Sequence, residues 1–204
     1  MAVARTDAPL MANCIGSHAG EAAPVAIQPL GADQLTLFRD HLLRLPPECR
    51  GARFGMSVGD RFIRQYVTTA RALSTTIMAY VEDNTVRGTA ELRPVGDSGS
   101  AEVTLSVEAA WRRQGVGTNL MHQLMETATN HDIRHIYFRF LAGNVAMKSL
   151  AAKFTMEMAL DDMDLVGKID PTSFAGAHTT RRSPPLTSGW LRVMHSLFGK
   201  STAN

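Results

Sequence analysis

Residues 111–120 read WRRQGVGTNL: two adjacent arginines, two glycines one residue apart, then the start of an apolar run. Arg112 and Arg113 supply mobile positive charge, while Gly115 and Gly117 lack the Cβ atoms that would keep a ligand away from the backbone. After them Met121, Leu124, Met125 and Ala128 recur at helical spacing, so the glycines stand where a helix begins. The first amides of a helix have no internal partner, and the aligned peptide dipoles put about half a positive charge there. Such an end holds an anion, and with two arginines beside it a diphosphate is the natural occupant. Two common nucleotide patterns do not fit. A P-loop needs a lysine at its last glycine, and none occurs between Gly117 and Lys148; a dinucleotide fingerprint needs a third glycine where Leu120 stands.

The elements around this turn alternate in type. Before it, AEVTLSV predicts a strand with Val103, Leu105 and Val107 on one face and Glu102, Thr104 and Ser106 on the other. Upstream, IMAYVEDNTVRGTAELR predicts two strands joined at Glu82 to Thr85, where Asp83-Asn84 suits a tight hairpin. Two helices come first: Leu35, Phe38, Leu42 and Leu45 after Asp33 as N-cap, ended by Pro46-Pro47, and Ile63, Tyr66, Val67 and Ala70 with Asp60 near the start. Beyond the turn helix, Ile136, Phe138 and Phe140 alternate as a strand, and Met147, Leu150, Ala151 and Phe154 form a helical face after Asn144, an expected N-cap. MEMALDDMDLVGKI adds further strand pattern whose register the Asp161-Asp162 pair obscures. Strand, helix, strand, helix predicts a mixed α/β sheet.

Composition sets the outer bounds. With 204 residues and 45% hydrophobic content, the chain can bury one sizeable core, so one domain is expected. Residues 1–24 are Ala- and Gly-rich without a repeating apolar face and read as a flexible leader; 25–170 form the domain; 171–204 read as a linker and a short amphipathic segment bearing Trp190, Leu191, Met194, Leu197 and Phe198. A formal charge of +2 disfavours a nucleic-acid partner. The two cysteines, Cys14 and Cys49, give no disulfide framework and no metal-ligand spacing, which fits a reducing cytoplasm. No segment has membrane-spanning length, and no membrane partner is expected.

Arg112-Arg113-Gln114-Gly115-Val116-Gly117 resembles the acetyl-CoA turn of the GNAT acetyltransferase superfamily, Arg or Gln, two variable residues, Gly, one variable residue, then Gly or Ala. The resemblance extends from about Val25 to Ile169, and NVAMKSLAAKF is similar to the second cofactor element of bacterial protein-acetyltransferase domains. It implies a mixed, mostly antiparallel sheet flanked by helices, with a splayed strand pair holding acetyl-CoA as cosubstrate. It also implies roles: the strand at Leu105, Ser106 and Val107 pairs with the pantetheine arm, Arg112 to Thr118 (through Arg113, Gln114, Gly115, Val116 and Gly117) hold the diphosphate, and Asn144 and Met147 belong to the second element. The function implied is acetyl transfer to a primary amine, a protein lysine or N-terminus ahead of a small metabolite. The rivals are a CoA-binding regulatory module without turnover and an interaction domain that binds no CoA. No metal is required.

Acyl transfer needs a neutral amine, so a base or a water relay must take a proton. Glu102, on the polar face of the strand leading to the turn, is the expected base, with Glu91 on the neighbouring strand its rival. His41, His131 and His135 show no spacing that recommends any of them. The resemblance departs at Ala151, where many relatives carry a tyrosine acid, and at Thr155-Met156, where Gly-Phe is usual; Tyr137 and Ser149 are substitute donors. Arg50, Arg53, Arg61 and Arg64 make the expected acceptor region locally basic.

Overall fold

The computed structural model describes residues 26–73, 75–96, 99–154, 158–161 and 164–174. The leader and the amphipathic C-terminal segment lie outside the described residues, while Pro171–Phe174 form a short 3-10 turn. Seven strands and five helices follow in order: β1 (Ala26–Pro29), α1 (Leu35–Arg44), α2 (Pro47–Phe54), α3 (Asp60–Ala72), β2 (Thr76–Glu82), β3 (Thr85–Val95), β4 (Ser100–Val107), α4 (Val116–Asn130), β5 (His135–Leu141), α5 (Val145–Ala151), β6 (Met158–Asp161) and β7 (Asp164–Ile169). They build one sheet in the order β1-β2-β3-β4-β5-β7-β6, antiparallel throughout except for β4 beside β5. A parallel pair needs a crossover, and α4 supplies it.

The expected hairpin is present. Asp83 and Asn84 both take left-handed backbone angles, φ 49° and 54°, which matches a two-residue turn to the twist of β2 and β3. The first helix starts one residue later than expected: Gln34, not Asp33, holds the N-cap position, and no side chain caps it. Pro46-Pro47 ends α1 but also opens α2, because a proline is free to stand at the first helical position, where its missing N–H has no partner to lose. Three helices therefore precede β2, not two. The aspartate-rich segment resolves into a β6/β7 hairpin in which Asp161 stands opposite Asp164. Arg139 of β5 bridges both carboxylates, at 2.7 and 3.2 Å, and offsets their repulsion.

The sheet has a core on each side. α4 lays Val116, Leu120, Met121, Leu124, Met125 and Ala128 on Ala90, Leu92, Ala101, Val103, Ile136 and Phe138, with Ala151 and Phe154 beside them. On the other side Phe38, Leu42 and Leu45 of the α1 region pack with Phe54 of α2, Ile63, Tyr66, Val67 and Ala70 of α3, and Ile77 of β2. The central strands are therefore covered on both faces, polar residues included: Thr89, Glu91, Arg93, Glu102 and Ser106 are all buried.

Candidate active site

The β4–β5 ladder is short. It runs from Ser100 opposite His135 to Val103 opposite Phe138, and there it ends. β4 continues to Val107 and β5 to Leu141, the latter still paired with β7, so the two strands part and Thr104–Val107 face an open seam. A cavity of about 910 Å³ fills this seam. Its walls are Thr104 to Val107, Arg139 to Leu141, the start of α4 at Gly115, Gly117 and Thr118, the α5 region at Asn144, Met147, Leu150 and Lys153, and α2 at Glu48, Cys49, Ala52 and Arg53.

Gly115 is the N-cap of α4 with φ 84°, and a Cβ there would meet nothing nearer than Asn119 Nδ2 at 4.0 Å. Backbone conformation, not crowding, demands the glycine. At Gly117 a Cβ would touch Leu150, Leu105 and Val107 carbons at 3.6, 3.7 and 3.9 Å, ordinary contact distances. The protein itself has room for a methyl group there, and the missing atom leaves the cavity side open. The first intrahelical bond is Asn119 N–H to the Gly115 carbonyl at 2.9 Å, so the amides of Val116, Gly117 and Thr118 form an uncapped mouth at the cavity edge. Trp111 anchors the approach to this mouth: its Nε1 donates to Glu82 at 2.7 Å, and Arg87 lies over its ring.

Ten of the twelve residues expected to hold the cofactor line this cavity: Leu105, Ser106, Val107, Arg112, Arg113, Gly115, Gly117, Thr118, Asn144 and Met147. Gln114 and Val116 do not. Gln114 donates to the Ala110 carbonyl at 2.6 Å, and Val116 points into the core, so each has only its backbone to offer. The two arginines also differ in use. Arg112 donates from Nε to the Val107 carbonyl at 2.9 Å and approaches Cys49 Sγ at 3.0 Å, so it ties the end of β4 to α2. Arg113, exposed on the wall, is the arginine better placed for an anion. Lys153, not singled out in the sequence, donates to Thr118 Oγ1 at 3.1 Å and adds a cation at the helix mouth. Asn144 caps α5 by accepting from Met147 N–H at 3.1 Å, which sets both residues on the wall.

The expected base sits deeper. Glu102 belongs to the paired half of β4, opposite Arg93 of β3 and Tyr137 of β5, and it is not on the cavity wall. Burial raises its pKa to about 7, with Arg93 and Arg139 opposing the rise. Glu91, the rival, is wholly engaged. It pairs with the Arg53 guanidinium, accepts from Tyr66 OH at 2.8 Å and from Thr104 Oγ1 at 3.2 Å, and Arg93 donates to the same tyrosine oxygen at 2.5 Å. This cluster ties α2 and α3 to the sheet. Arg50 is likewise engaged, with the Leu43 and Leu45 carbonyls and with Asp60, so two of the four arginines that make this region basic serve the fold.

Sequence reasoning passed over a second cluster on the same face. His41 of α1, with no exposed surface, lies 2.9 Å from Ser106 Oγ through Nε2 and 3.3 Å from Glu108 through Nδ1. Its position three residues after Phe38 and four before Leu45 sets it on the buried face of α1, a spacing signal that was available. The lone donors Tyr137 and Ser149 divide: Ser149 is on the wall and Tyr137 is not. Ala151, where a tyrosine acid was expected to be missing, is fully buried.

A mixed sheet that splays beside an uncapped helix mouth leaves an open cavity with an anion-ready edge, and similarity to known proteins gives the family. The model of the acetyltransferase (GNAT) family matches residues 40–156, and the chain belongs to that family. Among solved structures, the GNAT domain of S. lividans PAT is 17% identical at a TM-score of 0.60, over 71% of this chain and 89% of that one. The yncA structure from Salmonella typhimurium, solved with acetyl-CoA, is 15% identical at a TM-score of 0.54, over 79% and 100%. The paia N-acetyltransferase of Thermoplasma acidophilum, in complex with coenzyme A, is 14% identical at 0.54, over 71% and 99%. At these identities the likeness establishes the fold. No curated protein sequence matches the chain significantly. No helix among the described residues is long and apolar enough to cross a membrane.

Proposed function

We propose that this protein moves an acetyl group from acetyl-CoA to a primary amine. The observation that carries the reading is the open seam between β4 and β5, which leads to the uncapped amides of Val116, Gly117 and Thr118. Those amides, with Arg113 and Lys153, suit the diphosphate of acetyl-CoA. The unpaired edge of Leu105, Ser106 and Val107 suits the amides of a pantetheine arm, with Asn144 and Met147 across the cavity. Bound there, acetyl-CoA supplies an activated acyl carbon. The backbone N–H of Val107, which points away from β3, would stabilise the oxyanion that forms on it. Glu102, the expected base, has a pKa suited to neutral pH but would have to reach the amine through water.

The wall contributed by α2 shapes the acceptor side. The likeness of NVAMKSLAAKF to protein-acetyltransferase domains favours a protein lysine or N-terminus over a small metabolite. Cys49, free and half-buried on the wall, suits a reducing cytoplasm. Ala151 supports one alternative, a CoA-binding module without turnover, because no tyrosine acid stands at that position. Thiol release from acetyl-CoA, measured against lysine peptides, free N-terminal peptides and small amines, separates the readings. The transferase reading expects amine-dependent release. Thermal stabilisation by CoA, about 2.7 kcal/mol at 100 times its dissociation constant, with no release for any amine would favour the module. Absence of both effects would remove both.

A further inference from the structure

Ser106 ends a chain of hydrogen bonds that leads from the cavity wall into the protein, and the donors and acceptors along it can be assigned. Glu108 is ionised. Burial would raise its pKa, but hydrogen bonds from His41 and Arg44 and the Arg44 charge hold it well below the usual carboxylate range. A carboxylate only accepts, so the proton on the facing nitrogen of His41 must be on Nδ1. His41 is itself held neutral, because burial lowers its pKa more than Glu108 raises it. A neutral imidazole with its proton on Nδ1 has a lone pair on Nε2, so Ser106 Oγ–H, 2.9 Å away, donates to it. The hydroxyl then has no hydrogen left for Thr89 Oγ1 at 3.2 Å, which must donate to Ser106. One lone pair on Ser106 Oγ remains, on a residue that lines the cavity.

We propose that this lone pair receives the proton of the acceptor amine, with Ser106 as the group that touches the nitrogen, His41 as the proton acceptor behind it and Glu108 as a positioning residue. The inference rests on the transferase reading and supplies the proton path that reading lacks. As the N–C bond forms, the amine proton passes to Ser106 Oγ while the Ser106 hydroxyl proton passes to His41 Nε2. The imidazolium so formed is met by the Glu108 carboxylate. As the C–S bond breaks, the proton returns through Ser106 to the departing thiolate, so that amine plus thioester gives amide plus thiol. The same chain thereby covers both the missing tyrosine acid at Ala151 and the distance of Glu102 from the wall.

The charges around His41 come from α1 itself, from α2, from β3 and from the end of β4. Glu108 follows β4, Arg44 lies on α1 itself, Arg53 reaches in from α2, and Arg87 of β3 shares Glu108 at 3.2 Å. Arg44 and Arg87 keep Glu108 ionised. They also hold its oxygens toward the ring, at 2.9 Å from Arg44.

Two measurements test the proposal. In the ligand-free protein, long-range 1H–15N correlation of the imidazole should show His41 protonated on Nδ1 and unprotonated on Nε2 at pH 7, and Ser106→Ala should move the Nε2 resonance. A His41 ring protonated on Nε2 would overturn the relay. In turnover with the best amine found, Ser106→Ala should lower kcat about 100-fold at pH 7. The KM for acetyl-CoA should stay within about threefold, and the fall in kcat below the His41 pKa seen in the parent should disappear. A folded Ser106→Ala protein with kcat within about twofold of the parent would overturn it as well. If the parent acts on no amine, the transferase reading itself has failed, an outcome distinct from an active parent with an equally active variant.

Discussion

The two faces of β4 are equally buried and made for different ends. Toward α4 the strand presents Ala101, Val103, Leu105 and Val107, which pack against an apolar helix face. Toward α1–α3 it presents Glu102, Thr104 and Ser106: Thr104 donates to Glu91, which Arg53 and Tyr66 also hold, and Ser106 meets His41. On the first face stability comes from removing apolar surface from water, and it is undirected. On the second each polar atom must find a partner, since a buried group left unsatisfied costs more than its bond contributes. The apolar face thus holds α4 in place, with its mouth at the seam. The polar face keeps titratable groups dry and in fixed orientation beside the same seam. Helix placement and proton chemistry are divided between alternate residues of one strand.

The contrast can be broken from either side. Phe138→Ala, in the strand beside β4 on the apolar side, should cost about 3–5 kcal/mol of stability, measured by denaturant unfolding. Arg53→Ala should cost a similar amount, about 3–5 kcal/mol, because it leaves Glu91 buried without its cation. The faces should then diverge under repair: replacing Arg53 and Glu91 together with apolar residues of similar volume should recover most of the loss. A double variant no more stable than the single one would show that the pair does more than satisfy itself.

Glu102 sharpens the comparison through pH. Its folded pKa lies above the unfolded value, so between about pH 4.5 and 7 the native state binds more protons than the unfolded chain, and stability falls as pH rises through that window. Glu102→Gln should abolish this fall, a gain of up to roughly 3 kcal/mol above pH 7, and should match the parent near pH 4. Melting curves across pH 4–8 check the sign. Its effect on kcat should be smaller than that of Ser106→Ala, which assays of both variants compare directly. Thr118→Glu should behave differently again. A carboxylate in the first turn favours the helix, so melting temperature should hold or rise. Yet it opposes a diphosphate and draws Lys153 to itself, so the dissociation constant for acetyl-CoA should rise at least about tenfold, or 1.4 kcal/mol. The smallest effect is expected from Gln114→Ala, whose side chain faces away from the cavity: affinity for acetyl-CoA should stay within about twofold by calorimetry.

Much of this was legible in the sequence for identifiable reasons. Asp83-Asn84 tolerates left-handed angles, so the β2/β3 hairpin was visible, and the helical repeat from Met121 to Ala128 marked α4. Most of the cavity wall was visible because the glycine turn, the strand before it and Asn144 are local patterns. α2 was hidden because PECRGARF offers only one large apolar residue, Phe54, and begins with a proline that also ends α1. β1 was hidden by its length of 4 residues and by Pro29 within it, tolerable on a sheet edge. Arg112 was expected to serve the ligand, but its link to Val107 and Cys49 depends on where α2 lies. The Ser106–His41–Glu108 chain joins residues more than sixty positions apart, and only the docking of α1 on the sheet creates it.

The central claim is that the seam and the mouth of α4 hold the diphosphate and arm of acetyl-CoA. Backbone 1H–15N spectra recorded while CoA is titrated into the labelled protein test it most directly. The account predicts saturable one-to-one binding whose largest shifts fall on the amides of Val116, Gly117 and Thr118 and on Leu105 to Val107. Shifts confined to other elements, or no binding at millimolar CoA, would contradict it.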